Sequence, residues 1–247
     1  FVGKLAFPSA NVSDRLEKTF TSVNFNMMIM VIYALITIAI FSMWYYARYE
    51  GNFLPSPKKT FNPMMLAAIV ILVPGTQFAA NFIANLTGYI RPDWLQQYNE
   101  LFETSGITDT TFVTVLYSVI LAPICEELIF RGVTMRCARK ALPFALANLI
   151  QAALFGLFHL NWIQGIYAFA LGIVLGYVCE RGGSIYYSIG LHLLFNLWGT
   201  LSGFFPDPGN SVVIFVIVIA VTIVSLVVGF VLFNKGRRKL PINSTGI

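Results

Sequence analysis

The fold is decided by the stretch Ala122-Pro123-Ile124-Cys125-Glu126-Glu127-Leu128-Ile129-Phe130-Arg131, where two adjacent carboxylates and an arginine interrupt a long apolar run. An ionisable side chain at the centre of a bilayer costs roughly 3 kcal/mol on insertion scales, so such residues usually pair, face a wet cavity or do chemistry. The stretch therefore predicts a membrane-spanning helix that carries a buried polar site.

The rest of the chain has the composition of a polytopic membrane protein. Of 247 residues, 57% are hydrophobic and 11% are charged, whereas about 25% of residues are charged in a soluble domain. The net charge of +5 requires no nucleic acid as a partner, because the basic residues fall largely between the apolar runs. Three widely spaced cysteines without a CxxC pattern predict neither a disulfide framework nor a thiolate metal site.

Apolar runs long enough for about 20 helical residues each predict an all-α transmembrane bundle of about seven spans, plus one or two amphipathic surface helices. The spans are expected in the runs 19–47, 60–90, 111–135, 141–179 (two spans reversing near 161–165), 184–204 and 211–233. Surface helices are predicted at 12–20 and after Pro92. No internal repeat is visible, so we expect one membrane domain over residues 1–247 with a catalytic core at about 111–203.

Loop charges predict the orientation of this bundle. The loops at 47–62 and 132–142 and the terminal Lys-Gly-Arg-Arg-Lys are basic, the loop at 180–183 has no net charge, and the loops at 89–110 and 205–210 are acidic. Because basic loops stay on the cytoplasmic side, the C-terminus is predicted to be cytoplasmic. The cell membrane is the expected location, and the lipid bilayer is the expected surrounding.

Spacing along the helix predicts which side chains of the opening stretch meet. Glu127 and Arg131 are four residues apart in the favourable order, so they are expected to neutralise one another on one helix face. Glu126 then points about 100° away and is free for another task. Pro123, one turn earlier, removes a backbone hydrogen bond and predicts a local irregularity beside the carboxylates.

The two histidines of the chain lie in apolar segments with a partner four residues away. Phe155 and His159 form one such pair, and His192 and Asn196 form the other. Counted at about 1.5 Å per residue from the adjacent turns, both histidines, Asn196 and Glu126 lie inside a membrane of about 30 Å. These groups from three helices are therefore able to converge.

Converging in this way, the four groups have the chemistry to hydrolyse a peptide bond without a covalent intermediate. A carboxylate beside a neutral imidazole takes a proton from water and later gives it to a leaving amine, which fits Glu126 with His159. Hydrogen-bond donors stabilise the oxyanion of the tetrahedral intermediate, where one donor contributes about 3 kcal/mol, and this role fits His192 with Asn196.

At these residues the sequence resembles the CPBP family of intramembrane proteases, also called the Abi or CAAX-protease family. The resemblance rests on Glu126-Glu127-x-x-x-Arg131, Phe155-x-x-x-His159 and His192-x-x-x-Asn196 in this order, and it covers about Val113 to Leu197. It implies a multi-pass endopeptidase acting on a membrane-associated peptide or protein. In that picture Glu126 is the main base with His159 as its partner, His192 and Asn196 hold the oxyanion, and Glu127 and Arg131 support the site.

Three alternatives stay open at this stage. Glu126, His159 and His192 could serve as zinc ligands, although the His-Glu-x-x-His spacing of zinc proteases is absent and a metal-independent glutamate protease is favoured. The charges could form a buried network that only fixes helix packing. The chain could also be a membrane scaffold or bacteriocin-immunity protein with the same fold, whereas a transporter would be expected to show internal repeats.

Overall fold

The computed structural model describes residues 23–49, 61–105, 111–202 and 211–237, and within these ranges the chain forms eight helices and no strand. The helices are α1 (Val23–Tyr49), α2 (Pro63–Ile90), α3 (Pro92–Ser105), α4 (Phe112–Ala138), α5 (Phe144–Phe158), α6 (Trp162–Gly182), α7 (Ile185–Ser202) and α8 (Val212–Arg237). The predicted all-α class is confirmed. The expected helix at 12–20 and the expected loop at 205–210 lie outside the described residues.

Five helices of the described chain, α1, α2, α4, α6 and α8, are long and apolar enough to cross a membrane. The other two predicted spans correspond to α5 and α7, of 15 and 18 residues. At about 1.5 Å per residue, α5 is roughly 22 Å long and falls short of a hydrocarbon core of about 30 Å. The chain reverses at 159–161, slightly earlier than expected, because Asn161 caps α6 by accepting a hydrogen bond from the Gln164 backbone N–H.

The helices α2 and α8 pack along one another around a point where α2 contains Pro74. The Ser225 hydroxyl of α8 inserts there, accepting from the Gly75 N–H at 2.9 Å and donating to the Ile71 carbonyl. A Cβ at position 75 would lie 2.7 Å from this hydroxyl oxygen. The side chain of one helix thus joins the backbone ladder of the other at a proline site, and only glycine leaves room for it.

The helices α5 and α6 approach closely through small residues. A Cβ on Gly172 would lie 3.1 Å from Ala152, and a Cβ on Gly176 would overlap the Asn148 side chain. This close approach of α5 and α6 is packing within the bundle, which Gly172 and Gly176 permit. It also brings the Gly172 carbonyl to the polar centre, where it accepts from Gln151 Nε2 at 2.8 Å.

The predicted helix after Pro92 is present as α3 and lies against α2 and α6. Trp94 stacks on Trp162 at 5.3 Å between ring centroids, and Tyr98 is hydrogen-bonded to Tyr167. At its start, Arg91 donates two hydrogen bonds to Asp93, which lower the pKa of that carboxyl. The helix α3 is therefore attached to the bundle by aromatic side chains.

Candidate active site

The glutamates lie on α4 between two stretches of π-helix, Leu116–Leu121 and Leu128–Met135. In the first stretch the Ala122 N–H donates to the Tyr117 carbonyl, five residues back. The next donor in that register would be Pro123, which has no N–H. The Ser118 carbonyl is left without that partner, and Asn196 Nδ2 of α7 donates to it at 2.8 Å. Such π turns are frequent at functional sites.

Glu127 and Arg131 form a fully buried ion pair, with both side chains 0% exposed and Arg131 Nη1 2.7 Å from Glu127 Oε1. Arg131 also donates to the Gly172 carbonyl at 3.3 Å, and its guanidinium lies 4.5 Å from the centre of the Phe155 ring. A buried charge is tolerated when it is paired and hydrogen-bonded in this way. The pair ties α4 to α5 and α6 at the centre of the bundle.

His192 of α7 is held by the same carboxylate, since its Nδ1 lies 2.9 Å from Glu127 Oε1. A carboxylate paired with a guanidinium is an acceptor, so Nδ1 of His192 carries a proton and donates it. The ring is 3% exposed and its orientation is therefore fixed. Its second nitrogen, Nε2, points toward Glu126.

Glu126 is the carboxylate that faces open space. It is 16% exposed, and its Oε2 lies 3.6 Å from His192 Nε2. It lines a cavity of about 340 Å³ between α1, α4 and α5, together with Met30, Tyr33, Tyr117, Cys125 and Phe158. Neighbouring glutamates therefore have separate surroundings, one sealed inside an ion pair and the other at the wall of an apolar cavity.

His159 is the residue that caps the C-terminal end of α5. Its Nδ1 lies 2.8 Å from the Phe155 carbonyl, so Nδ1 is the donor and Nε2 remains available. The Phe155 ring makes edge contacts with both imidazoles, at centroid distances of 4.9 Å to His159 and 5.7 Å to His192. The second motif thus contributes an aromatic spacer as well as a histidine.

The predicted site residues therefore group around α4, with one difference in the pairing. Among the described residues, the imidazole in contact with Glu126 is that of His192, and His159 contacts Phe155 and Phe158 instead. Asn196 contacts the Ser118 backbone beside the glutamates. Sequence reasoning did not identify Tyr117 and Cys125 as residues that line a cavity with Glu126. The π turn hides the proximity of Tyr117 to Glu126 from α-helical spacing.

No group of three or more His, Cys, Asp or Glu side chains within the described ranges is arranged to hold a metal ion. Glu126, His159 and His192, considered as zinc ligands, do not form such a group among the described residues. Zinc sites need ligand atoms about 2.0–2.2 Å from one centre. The three residues do not fit that requirement in this arrangement.

The site thus combines a carboxylate at an apolar cavity, an imidazole oriented by a buried ion pair, and helices long and apolar enough to cross a membrane. Residues 108–198 match the family model described as type II CAAX prenyl endopeptidase Rce1-like. The match covers all three motifs and supports the CPBP or CAAX-protease family, a family of proteases, for this segment. Neither a curated protein nor a solved structure matches the chain.

Proposed function

We propose that the protein is an intramembrane endopeptidase that hydrolyses a peptide bond of a membrane-associated peptide or protein, with Glu126 as the base that activates water. The observation that carries the proposal is the position of Glu126, a carboxylate at the wall of a cavity of about 340 Å³ and 3.6 Å from His192 Nε2. Cavities of a few hundred Å³ with few polar groups are typical of binding sites.

In the proposed hydrolysis, Glu126 acts first as a base and then as an acid. Ionised Glu126 takes a proton from a water molecule while the water oxygen attacks the carbonyl carbon and the carbonyl electrons move to oxygen. Glu126 then gives the proton to the amide nitrogen as the C–N bond breaks, releasing an amine and a carboxylic acid. These reaction steps need a single accessible carboxylate that alternates between two protonation states.

His192 supports this step through its fixed orientation. With Nδ1–H donated to Glu127, its Nε2 is directed to the space beside Glu126. A water molecule between the two would donate one hydrogen to the carboxylate and one to Nε2, leaving its lone pairs for attack. His159, whose Nε2 is available, and Asn196 remain proposed polar partners of the reacting peptide, and no metal ion is required.

The proposed orientation places the basic helix ends on the cytoplasmic side of the cell membrane. Arg139, just after α4, contacts Glu180 near the end of α6 at 3.1 Å, and Tyr177 of α6 contacts Asn234 near the end of α8 at 2.9 Å. The ends of α4, α6 and α8 therefore lie on one side of the bundle, where basic residues are concentrated. Cytoplasmic loops carry such an excess, which supports a cytoplasmic C-terminus.

The test uses the purified protein in lipid vesicles with a library of membrane-associated peptides, and mass spectrometry identifies the cleaved bonds. Glu126→Gln keeps the size of the side chain but removes the base, so turnover should fall about 10²- to 10⁴-fold. Glu180→Gln is the matched control, since it makes the same change in a carboxylate paired with Arg139 at the bundle end, and should cleave normally.

Equal turnover by the wild-type and Glu126→Gln proteins would refute the proposal. A cellular effect of the protein that survives Glu126→Gln would favour a scaffold or immunity protein over a protease.

A further inference from the structure

The cavity beside Glu126 contains a phenol that none of the three motifs includes. Tyr117 lines the cavity together with Glu126. Tyr117 is partly buried, and within the described residues no hydrogen bond occupies its hydroxyl. Tyr117 thus brings a hydrogen-bond donor to the cavity that the proposed base also lines.

The π-helix explains how Tyr117 reaches that space. Tyr117 and Glu126 are nine residues apart, which is about two and a half turns of α-helix, so an uninterrupted helix would place them on opposite sides. The stretch Leu116–Leu121 closes its hydrogen bonds over five residues instead of four, and its turns are wider. Each residue of the π-helix turns through a smaller angle than a residue of α-helix, so Tyr117 comes closer to the side of α4 that carries Glu126. Pro123 and the hydrogen bond from Asn196 stabilise this irregular stretch.

The donors expected from the motifs are partly committed elsewhere. His192 uses Nδ1–H for Glu127, and the Asn196 amide donates to the Ser118 carbonyl. Neither residue lines the cavity. Of the two tyrosines that do line it, Tyr33 is 46% exposed, whereas Tyr117 is more buried. Tyr117 is therefore the better enclosed donor.

We propose that Tyr117 is a further catalytic residue, whose hydroxyl donates a hydrogen bond to the carbonyl oxygen of the scissile peptide bond as water attacks from the Glu126 side. The inference rests on the proposed protease function. The phenol polarises the carbonyl before attack and stabilises the oxyanion after it, and no proton leaves the phenol oxygen. Because the hydrogen bond from Tyr117 strengthens as charge develops on the carbonyl oxygen, it stabilises the transition state more than the bound substrate.

The experiment is the substitution Tyr117→Phe, which removes one oxygen atom and keeps the ring. With a peptide from the vesicle library that the wild-type protein cleaves, kcat should fall about 10²- to 10³-fold, as for the loss of one oxyanion donor, while KM changes less than about threefold. Tyr89→Phe removes the same atom from a residue 86% exposed and should leave both constants unchanged. Adding Tyr117→Phe to Glu126→Gln should cost little more, because the two groups act on one transition state.

Each result has a distinct reading. If cleavage depends on Glu126 but Tyr117→Phe retains the wild-type kcat, or changes KM alone, the role of Tyr117 is refuted while the protease function stands. If wild-type and Glu126→Gln turnover are equal, the function fails and the inference falls with it. If Tyr117→Phe does not fold, replacement of Tyr117 by 3-fluorotyrosine keeps the ring and a more acidic hydroxyl; an unchanged kcat would then overturn the inference, and an altered kcat with unchanged KM would support it.

Discussion

Removal of the Arg131 charge should destabilise the protein far more than removal of a similar charge at the surface. Arg131→Met leaves Glu127 buried with no counter-charge, 0% exposed, and also removes the hydrogen bond to Gly172 and the contact with the Phe155 ring. Breaking a buried ion pair on one side costs about 3–5 kcal/mol. We expect the free energy of unfolding to fall by that amount.

The double variant Glu127→Gln with Arg131→Met separates the charge from the packing. The amide at position 127 needs no counter-charge and still accepts the His192 Nδ1–H, so at least about 2 kcal/mol of the loss should be recovered. Activity should stay low, because the weaker acceptor no longer fixes the imidazole. The comparison of the single and double variants therefore shows whether the ion pair itself stabilises the fold or only neutralises the buried Glu127 carboxylate.

The assay is reversible unfolding in mixed micelles, followed by tryptophan fluorescence during titration with dodecyl sulfate. Arg91→Met is the matched control, since Arg91 and Asp93 are equally close at 2.6 Å but have side chains 48% and 53% exposed. Surface pairs contribute little, and this variant should unfold like the wild type. A loss below about 1 kcal/mol for Arg131→Met, or a double variant less stable than the single one, would refute the reasoning.

Two further predictions follow from packing and from the metal question. Gly75→Ala places a Cβ 2.7 Å from Ser225 Oγ, so it should lower the free energy of unfolding by about 1–3 kcal/mol. Gly190→Ala is the control and should leave the free energy of unfolding unchanged, because a Cβ there has no atom within 4 Å. Equal stability of the two variants in the same titration would contradict the tight contact of α2 with α8. Protein purified with a chelator should cleave a peptide at the same rate as untreated protein, measured before and after dialysis. A loss of activity that zinc restores would contradict this prediction and would require Glu126, His159 and His192 to meet around the ion.

Much of the fold was predictable because membrane spans follow from composition. The absence of charges over the long runs fixes where helices form, and Pro92 followed by apolar residues at helical spacing identifies α3. The four-residue step between Glu127 and Arg131 predicts their contact, which the structure places at 2.7 Å. These features depend on local spacing within regular α-helix, where the rotation per residue is known.

The pairing of side chains across helices was harder to predict, because it depends on departures from regular helix. Spacing alone puts Tyr117 opposite Glu126, and the π turn at 116–121 corrects this by an amount that the sequence does not specify. His159 was expected within a span but lies at the end of α5, next to Leu160 in a left-handed conformation with φ of 53°. The N-cap residue Asn161 was the available signal for that end.

The separate burial of the two glutamates has a consequence for the proposed reaction. Arg131 balances Glu127, so the site carries the single negative charge of Glu126 before attack. When Glu126 accepts the proton of water, the same unit of charge passes to the oxygen of the attacked carbonyl, a few ångströms away. The net charge of the site does not change during this step, so no additional charge has to be accommodated in the apolar surroundings.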